Sequence, residues 1–276
     1  MDFRKQYASD IELIKSKRDH LGGDFWTTED NRLGKGSPFS ARDVSIILSE
    51  LGFTREDEGI KELANKFFSV QRPDGRFKIS PSGTIYPCHT ITALRVLCYL
   101  GYAEDERLKM TFNHLLEIQH KDGGWRCNKT KMGKSITMDL SNPGVTLEAL
   151  DAFRFTDLLN SDKNLDLAVE TLLYHWEVKR PLGPCHFGIG TLFMQTEFPF
   201  LRYNLFYYCY TLSFYDYAKN DDRFLAAVKE LDRKTQNGKL VVENPNRKLA
   251  GLQFCKKGET SDIATLRYKQ MKSRIS

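Results

Sequence analysis

Leu115-x-x-x-Gln119-His120-Lys121-Asp122-Gly123-Gly124-Trp125 closes one structural unit and opens the next. About 48 residues earlier stands Phe67-x-x-x-Gln71-Arg72-Pro73-Asp74-Gly75-Arg76-Phe77, with the same apolar, Gln, Asp-Gly and aromatic positions. The match runs backwards from there. Leu51-Gly52-Phe53 parallels Leu100-Gly101-Tyr102, and each is followed by an acidic loop and an amphipathic run. A period of this length is the signature of a repeat architecture.

Within each unit the apolar spacing predicts two helices. Ile60, Leu63, Ala64, Phe67 and Phe68 fall on one helical face, as do Leu108, Phe112, Leu115 and Leu116 in the next unit. Each amphipathic run follows a more uniformly apolar one, at 44–51 and 91–100, which reads as a buried helix. A unit is therefore an inner helix, a Leu-Gly-aromatic turn in which Gly52 or Gly101 ends that helix, and an outer helix. Runs at 145–155 and 165–176 make a third pair, and runs at 201–217 and 223–234 a fourth. The helix before Gly22-Gly23-Asp24-Phe25-Trp26 reads as an outer helix, and 262–272 as a last inner one. Half a unit at each end lets the termini complete a ring. No Pro- or Ser-rich linker divides 1–276, so one all-α domain is expected, with units near 42–77, 90–127, 145–190 and 201–240.

The Asp122-Gly123-Gly124 turn supplies positive φ where it is needed. Trp125 offers a flat surface to stack between units, and Gln119 is placed to tie off the last carbonyls of its outer helix. These residues read as structural, with no catalytic part.

At 276 residues and 41% hydrophobic the chain can bury a large core. Its net charge of +5 is spread along the sequence, which argues against a nucleic-acid partner. No run approaches the roughly 18 apolar residues that cross a bilayer, and Met1-Asp2-Phe3-Arg4-Lys5-Gln6 has no export character, so a cytoplasmic protein is expected. The six cysteines are then reduced thiols.

The Gln119 and Asp122-Gly123-Gly124-Trp125 pattern, with its weaker copy at Gln71 to Phe77, resembles the Gln/Trp repeats of squalene cyclases and protein prenyltransferase β-subunits. The resemblance covers about Arg42 to Asn246 and is similar above all to small prokaryotic members, in which a cysteine follows the Gly-Gly-Trp; here it is Cys127. It implies an α/α toroid: a barrel of inner helices belted by outer ones. It says much less about chemistry, since one fold hosts many functions.

The connectivity puts every Gly-rich loop and every inner-helix N-terminus at one rim. Cys88, Cys127 and Cys185 occupy consecutive rim loops, with His89 and His186 beside two of them, and Cys255 precedes the last helix. Three or four Cys and His ligands brought together would suit zinc, and helix N-termini would favour thiolates. Cys88, Cys127 and Cys185 with His186 or His89 are the candidate set; small buried thiols in tight loops are the alternative. No pair has C-x-x-C spacing. In prenyltransferase β-subunits an Asp-x-Cys and a distant His hold catalytic zinc, and here Tyr86 stands where that Asp would be. Cys98 and Cys209 lie within inner helices and read as core.

The fourth inner run is rich in aromatics. Tyr203, Tyr207 and Tyr210 are the candidates for cavity lining, where aromatic faces can stabilise a cation, and the others for packing. Arg126, Lys129, Arg180 and Arg202 sit at the rim, either holding a diphosphate or forming a solvated charged edge. The Asp-x-Asp-Asp of proton-initiated cyclases and the Asp-Asp-x-x-Asp of diphosphate-ionising enzymes are absent from the sequence, as are a Gly-x-Ser-x-Gly elbow and a His-Glu-x-x-His motif. Two functions remain open. One is an enzyme of the prenyltransferase or terpene cyclase kind acting on an isoprenoid-like or other hydrophobic substrate, with zinc as a possible cofactor. The other is a non-catalytic toroid that binds a hydrophobic ligand or a protein partner, with structural zinc or no metal.

Overall fold

A computed structural model describes residues 2–127 and 136–275. Its described residues form twelve α-helices: α1 (Phe3–Gln6), α2 (Ala8–Lys15), α3 (Ala41–Glu50), α4 (Ile60–Phe68), α5 (Pro87–Tyr99), α6 (Glu106–Glu117), α7 (Pro143–Phe153), α8 (Lys163–Val178), α9 (Leu205–Leu212), α10 (Asp216–Lys219), α11 (Asp222–Asp232) and α12 (Asp262–Ile275). A two-stranded antiparallel hairpin, β1 (Thr235–Gln236) and β2 (Lys239–Leu240), turns at Asn237-Gly238. The protein is thus mostly helical, and no described helix is long and apolar enough to cross a membrane.

Local chemistry sets the helix ends. Asp105, Asn142, Asp162, Asn204 and Asp221 each accept a backbone N–H in the first turn of the helix they precede. Pro87 and Pro143 stand at first positions, where a missing N–H costs nothing. At the other end Gly52 (φ +92°) and Gly101 (φ +89°) adopt the left-handed conformation. Phe53 N–H then returns to Leu48 O at 2.9 Å and Tyr102 N–H to Leu97 O at 3.0 Å, so the Leu-Gly-aromatic turns end α3 and α5 as the sequence predicts.

Four inner helices, α3, α5, α7 and α9, are mostly buried, with every residue of α9 and Ala93, Leu94, Val96 and Leu97 in the middle of α5 out of solvent. Helix α12, expected as a fifth, buries only Ile263, Ala264, Thr265 and Met271. Outer helices bury a stripe. In α4 it is Ile60, Leu63, Ala64 and Phe67; in α6 it is Leu108, Thr111, Phe112 and Leu115. The fourth inner run is shorter than the sequence suggests, because α9 stops at Leu212 and Asp216–Lys219 forms the separate helix α10.

Packing between inner helices follows chain order: α3 meets α5, α5 meets α7, α7 meets α9, and α9 meets α12. Arg267 of α12 then reaches Glu50 at the end of α3, Nε to Oε2, at 2.7 Å. Near the start of the chain, Asp10 accepts the N–H groups of Gln253 and Phe254, ahead of α12. One continuous apolar cluster runs from Tyr7 to Met271.

The repeat motif works differently from expectation in one respect. Trp125, fully buried, donates its indole N–H to Leu115 O at 2.8 Å in the last turn of α6, and Trp26 does the same to Ile14 O at 3.0 Å. The tryptophan, rather than Gln119, ties off its own helix. Gln119 reaches forward to Asn164 O of α8 at 2.7 Å, and Gln71 to Arg107 O of α6 at 2.7 Å. An amide on a short flexible stem reaches the next unit; a bulky indole already packed under its own helix finds the carbonyl above it. Trp125 also stacks on Phe153 of α7, centroids 5.9 Å apart.

Candidate ligand cavity

The inner helices place their N-terminal turns around one opening. Arg42 of α3, Cys88 and His89 of α5, Gly144 and Val145 of α7, and Tyr203 just before α9 all line a cavity of about 850 Å³. A volume near 300–1,000 Å³ is that of ordinary ligand sites. Val145, Phe187, Leu192, Leu201, Tyr203 and Tyr207 make its walls apolar and aromatic, while Arg32, Lys35, Arg42 and Arg202 give it cations. Four helices that begin here also present the positive ends of their dipoles.

A buried polar network adjoins the cavity wall at Tyr207. Asp151 of α7 accepts from Arg95 Nε at 2.6 Å, Arg154 Nε at 2.5 Å, Tyr99 OH at 3.0 Å and Tyr207 OH at 2.9 Å. Arg95 also donates to Phe200 O at 2.8 Å. Burial alone would raise the Asp151 carboxyl, but Arg154 and Arg95 outweigh it and hold the group below its ordinary value. With both carboxylate oxygens engaged and two guanidinium groups beside them, the network escapes the penalty of a bare buried charge. Tyr207 joins the two regions: it lines the cavity, and its hydroxyl donates to Asp151.

Tyr203 and Tyr207 thus line the cavity, and Tyr210 does not. Phe200 stacks on both, on Tyr207 at 5.2 Å and on Tyr210 at 5.0 Å. Tyr210 faces Phe214 and the Arg274 guanidinium instead.

The thiols come only partly together. Cys88, His89 and Cys185 line the cavity, and the buried Cys127 lies within electrostatic reach of Cys88 and Cys185. His186 is exposed and outside the lining. Among the described residues no group of three or more His, Cys, Asp or Glu side chains is arranged to hold a metal ion. Thiolates are not favoured here either. Burial, then Glu148, then the neighbouring cysteines push the Cys88 thiol up to about 12, and burial with Cys127 raises Cys185, although Asn142 pulls it back a little. Desolvation outweighs the helix N-terminus at Cys88. His89 stays neutral, its value lowered by burial and by Arg42.

The rim arginines do not converge. Arg202 lines the cavity but grips Glu197 at 2.7 Å and Asn244 O at 3.2 Å. Arg126 pairs with Asp139 outside the cavity, and Arg180 borders a separate depression with Tyr174 and Leu182. Lys129 lies outside the described residues.

Sequence reasoning missed Arg42, Glu148, Glu197 and the Arg95–Asp151 pair. The last left a signal: a charge in the middle of Ala93-Leu94-Arg95-Val96-Leu97 and of Ala149-Leu150-Asp151-Ala152, where inner helices are otherwise apolar. Glu197 is the most perturbed carboxyl of the site. Burial pushes it up to about 7 against the opposing pull of Arg202. No family model and no curated protein matches the chain.

Proposed function

We propose that the chain is an α/α toroid of the prenyltransferase and squalene cyclase repeat kind, and that its cavity binds an amphiphilic ligand by the apolar part. The sequential packing of α3, α5, α7, α9 and α12, with Arg267 linking back to Glu50, supports the toroid. The cavity carries the functional reading: apolar and aromatic walls, with cations and helix N-termini around them. Zinc has no part in this proposal. Among the described residues no ligand cluster is arranged for a metal, and the raised thiols of Cys88 and Cys185 argue against a catalytic ion beside them.

Filling the cavity tests the reading. Val145→Trp puts an indole on the cavity wall from the first turn of α7, where Val145 is half-buried. Wild-type protein should displace an environment-sensitive fluorophore with long-chain amphiphiles, and the variant should bind them at least about tenfold more weakly while melting cooperatively. Equal binding by both would refute it.

A catalytic reading has one observation in its favour. Glu197 is 4% exposed, lines the cavity and is poised near neutral pH, as a general acid or base should be.

A further inference from the structure

We infer that the polar end of the cavity's ligand is a single carboxylate, held between Lys35, Arg42 and the N-terminal turn of α7. This rests on the cavity reading and narrows it to a ligand class. Charge pairing in the walls carries the argument. Four cations line the cavity, but three are already matched: Arg32 with Asp30 at 2.6 Å, Arg42 with Asp43 at 2.7 Å, and Arg202 with Glu197 at 2.7 Å. Lys35 makes no ion pair among the described residues. Against it stands Glu148, also in the wall, whose carboxylate accepts from Thr92 at 2.7 Å and has no ion-pair partner there. A diphosphate would bring several negative charges beside Glu148 and find one uncommitted cation. A carboxylate brings one.

The donors suit two oxygens. In the first turn of α7, Pro143 has no N–H and the Val145 N–H is taken by Asn142 Oδ1 at 3.2 Å. The Gly144 N–H remains open among the described residues. Asn142 is 1% exposed, lines the cavity, and its Nδ2 has no hydrogen-bond partner. A buried amide donor left without an acceptor is costly, so an incoming oxygen gains by meeting it. The amide sits beside the Cys185 thiol, close enough to lower it though not in a hydrogen bond of normal geometry, and a ligand oxygen would have to displace that exposed thiol to reach the buried Nδ2. The Arg42 guanidinium keeps one nitrogen, Nη1, outside its contact with Asp43.

The test uses dodecanoate, dodecanol and dodecyl diphosphate below their micellar concentrations, in fluorophore displacement on the full chain. Asn142→Asp keeps the helix cap, since Asp serves there as well as Asn, but replaces the donor with a negative charge. Lys35→Met alters an exposed side chain that makes no hydrogen bond or ion pair among the described residues. Dodecanoate should bind wild type about tenfold or more tighter than either other probe. Asn142→Asp should lose at least about tenfold for dodecanoate and Lys35→Met about threefold, with dodecanol unchanged in both. Equal affinity for acid and alcohol, tighter binding of the diphosphate, or an unaffected Asn142→Asp would overturn the carboxylate while leaving the cavity reading standing. If no probe binds, the cavity reading falls and this one with it.

Discussion

Glu197 shows how a single side chain can tax the fold in which it sits. Its folded value of about 7 lies above the roughly 4.3 of an unfolded glutamate. Between the two the native state holds the extra proton, so stability falls as pH rises through that window and is level above it. His175 acts in the opposite sense. Burial lowers it to about 4, so the unfolded chain takes the extra proton and stability is lost as pH falls below about 6.5. The two slopes oppose each other in mildly acid solution. Glu197→Gln removes one of them. Its stability relative to wild type, from urea unfolding, should climb from pH 5 to pH 8 by up to about 3 kcal/mol. A difference that does not change with pH would show that the carboxyl is ordinary. Arg202 survives the change cheaply, since half of its side chain is in water.

At the scale of helices and turns, the glycine of each repeat loop locks onto the next outer helix. A Cβ on Gly123 (φ +92°) would stand 2.5 Å from Leu167 O of α8, and one on Gly75 (φ +81°) would meet the Met110 backbone of α6 at 2.8 Å. Thr171 and Thr111 then donate to the carbonyls of Asp122 and Gly75. Gly123→Ala should therefore cost at least about 2 kcal/mol, from strain at positive φ and a clash that backbone must absorb; thermal melting reads it directly. This much was legible, because Asp-Gly and Leu-Gly-aromatic are local patterns whose conformations follow from the residues themselves. The direction in which Gln119 reaches was not. Nor was the difference between Tyr207 and Tyr210: they share a helical face and both stack on Phe200, yet only Tyr207 lines the cavity, while Tyr210 turns to Phe214 and Arg274. Asp151 and Arg95 stood out as charges in apolar runs, but their pairing spans 56 positions and depends on α5 meeting α7.

For the whole molecule, the link from α12 back to α3 is the contact that joins last to first. Glu50 is 2% exposed and Arg267 is its ion-pair partner. The carboxylate of Glu50 draws the Arg267 guanidinium above its usual range in spite of burial. Arg267→Met leaves that carboxylate buried without its cation, which should cost about 3–5 kcal/mol. If each unit leaned only on its neighbours, the loss would be confined to α12 and α3. In a closed set of packed helices it lowers the single melting transition of the whole chain, and hydrogen exchange on α5 and α7 should rise with it. Protection unchanged in α7 would mean that the two ends of the chain are energetically separate.

The Asp151 network has a consequence for traffic. Arg95, Tyr99, Arg154 and Tyr207 are all tied to Asp151, and Tyr207 joins them to the cavity wall. If this network closes the cavity on that side, whatever goes in must come out by the way it entered. A new ligand cannot push out its predecessor from behind, so occupancy is exclusive and exchange waits on departure. Off-rates measured with and without excess competitor should then be identical.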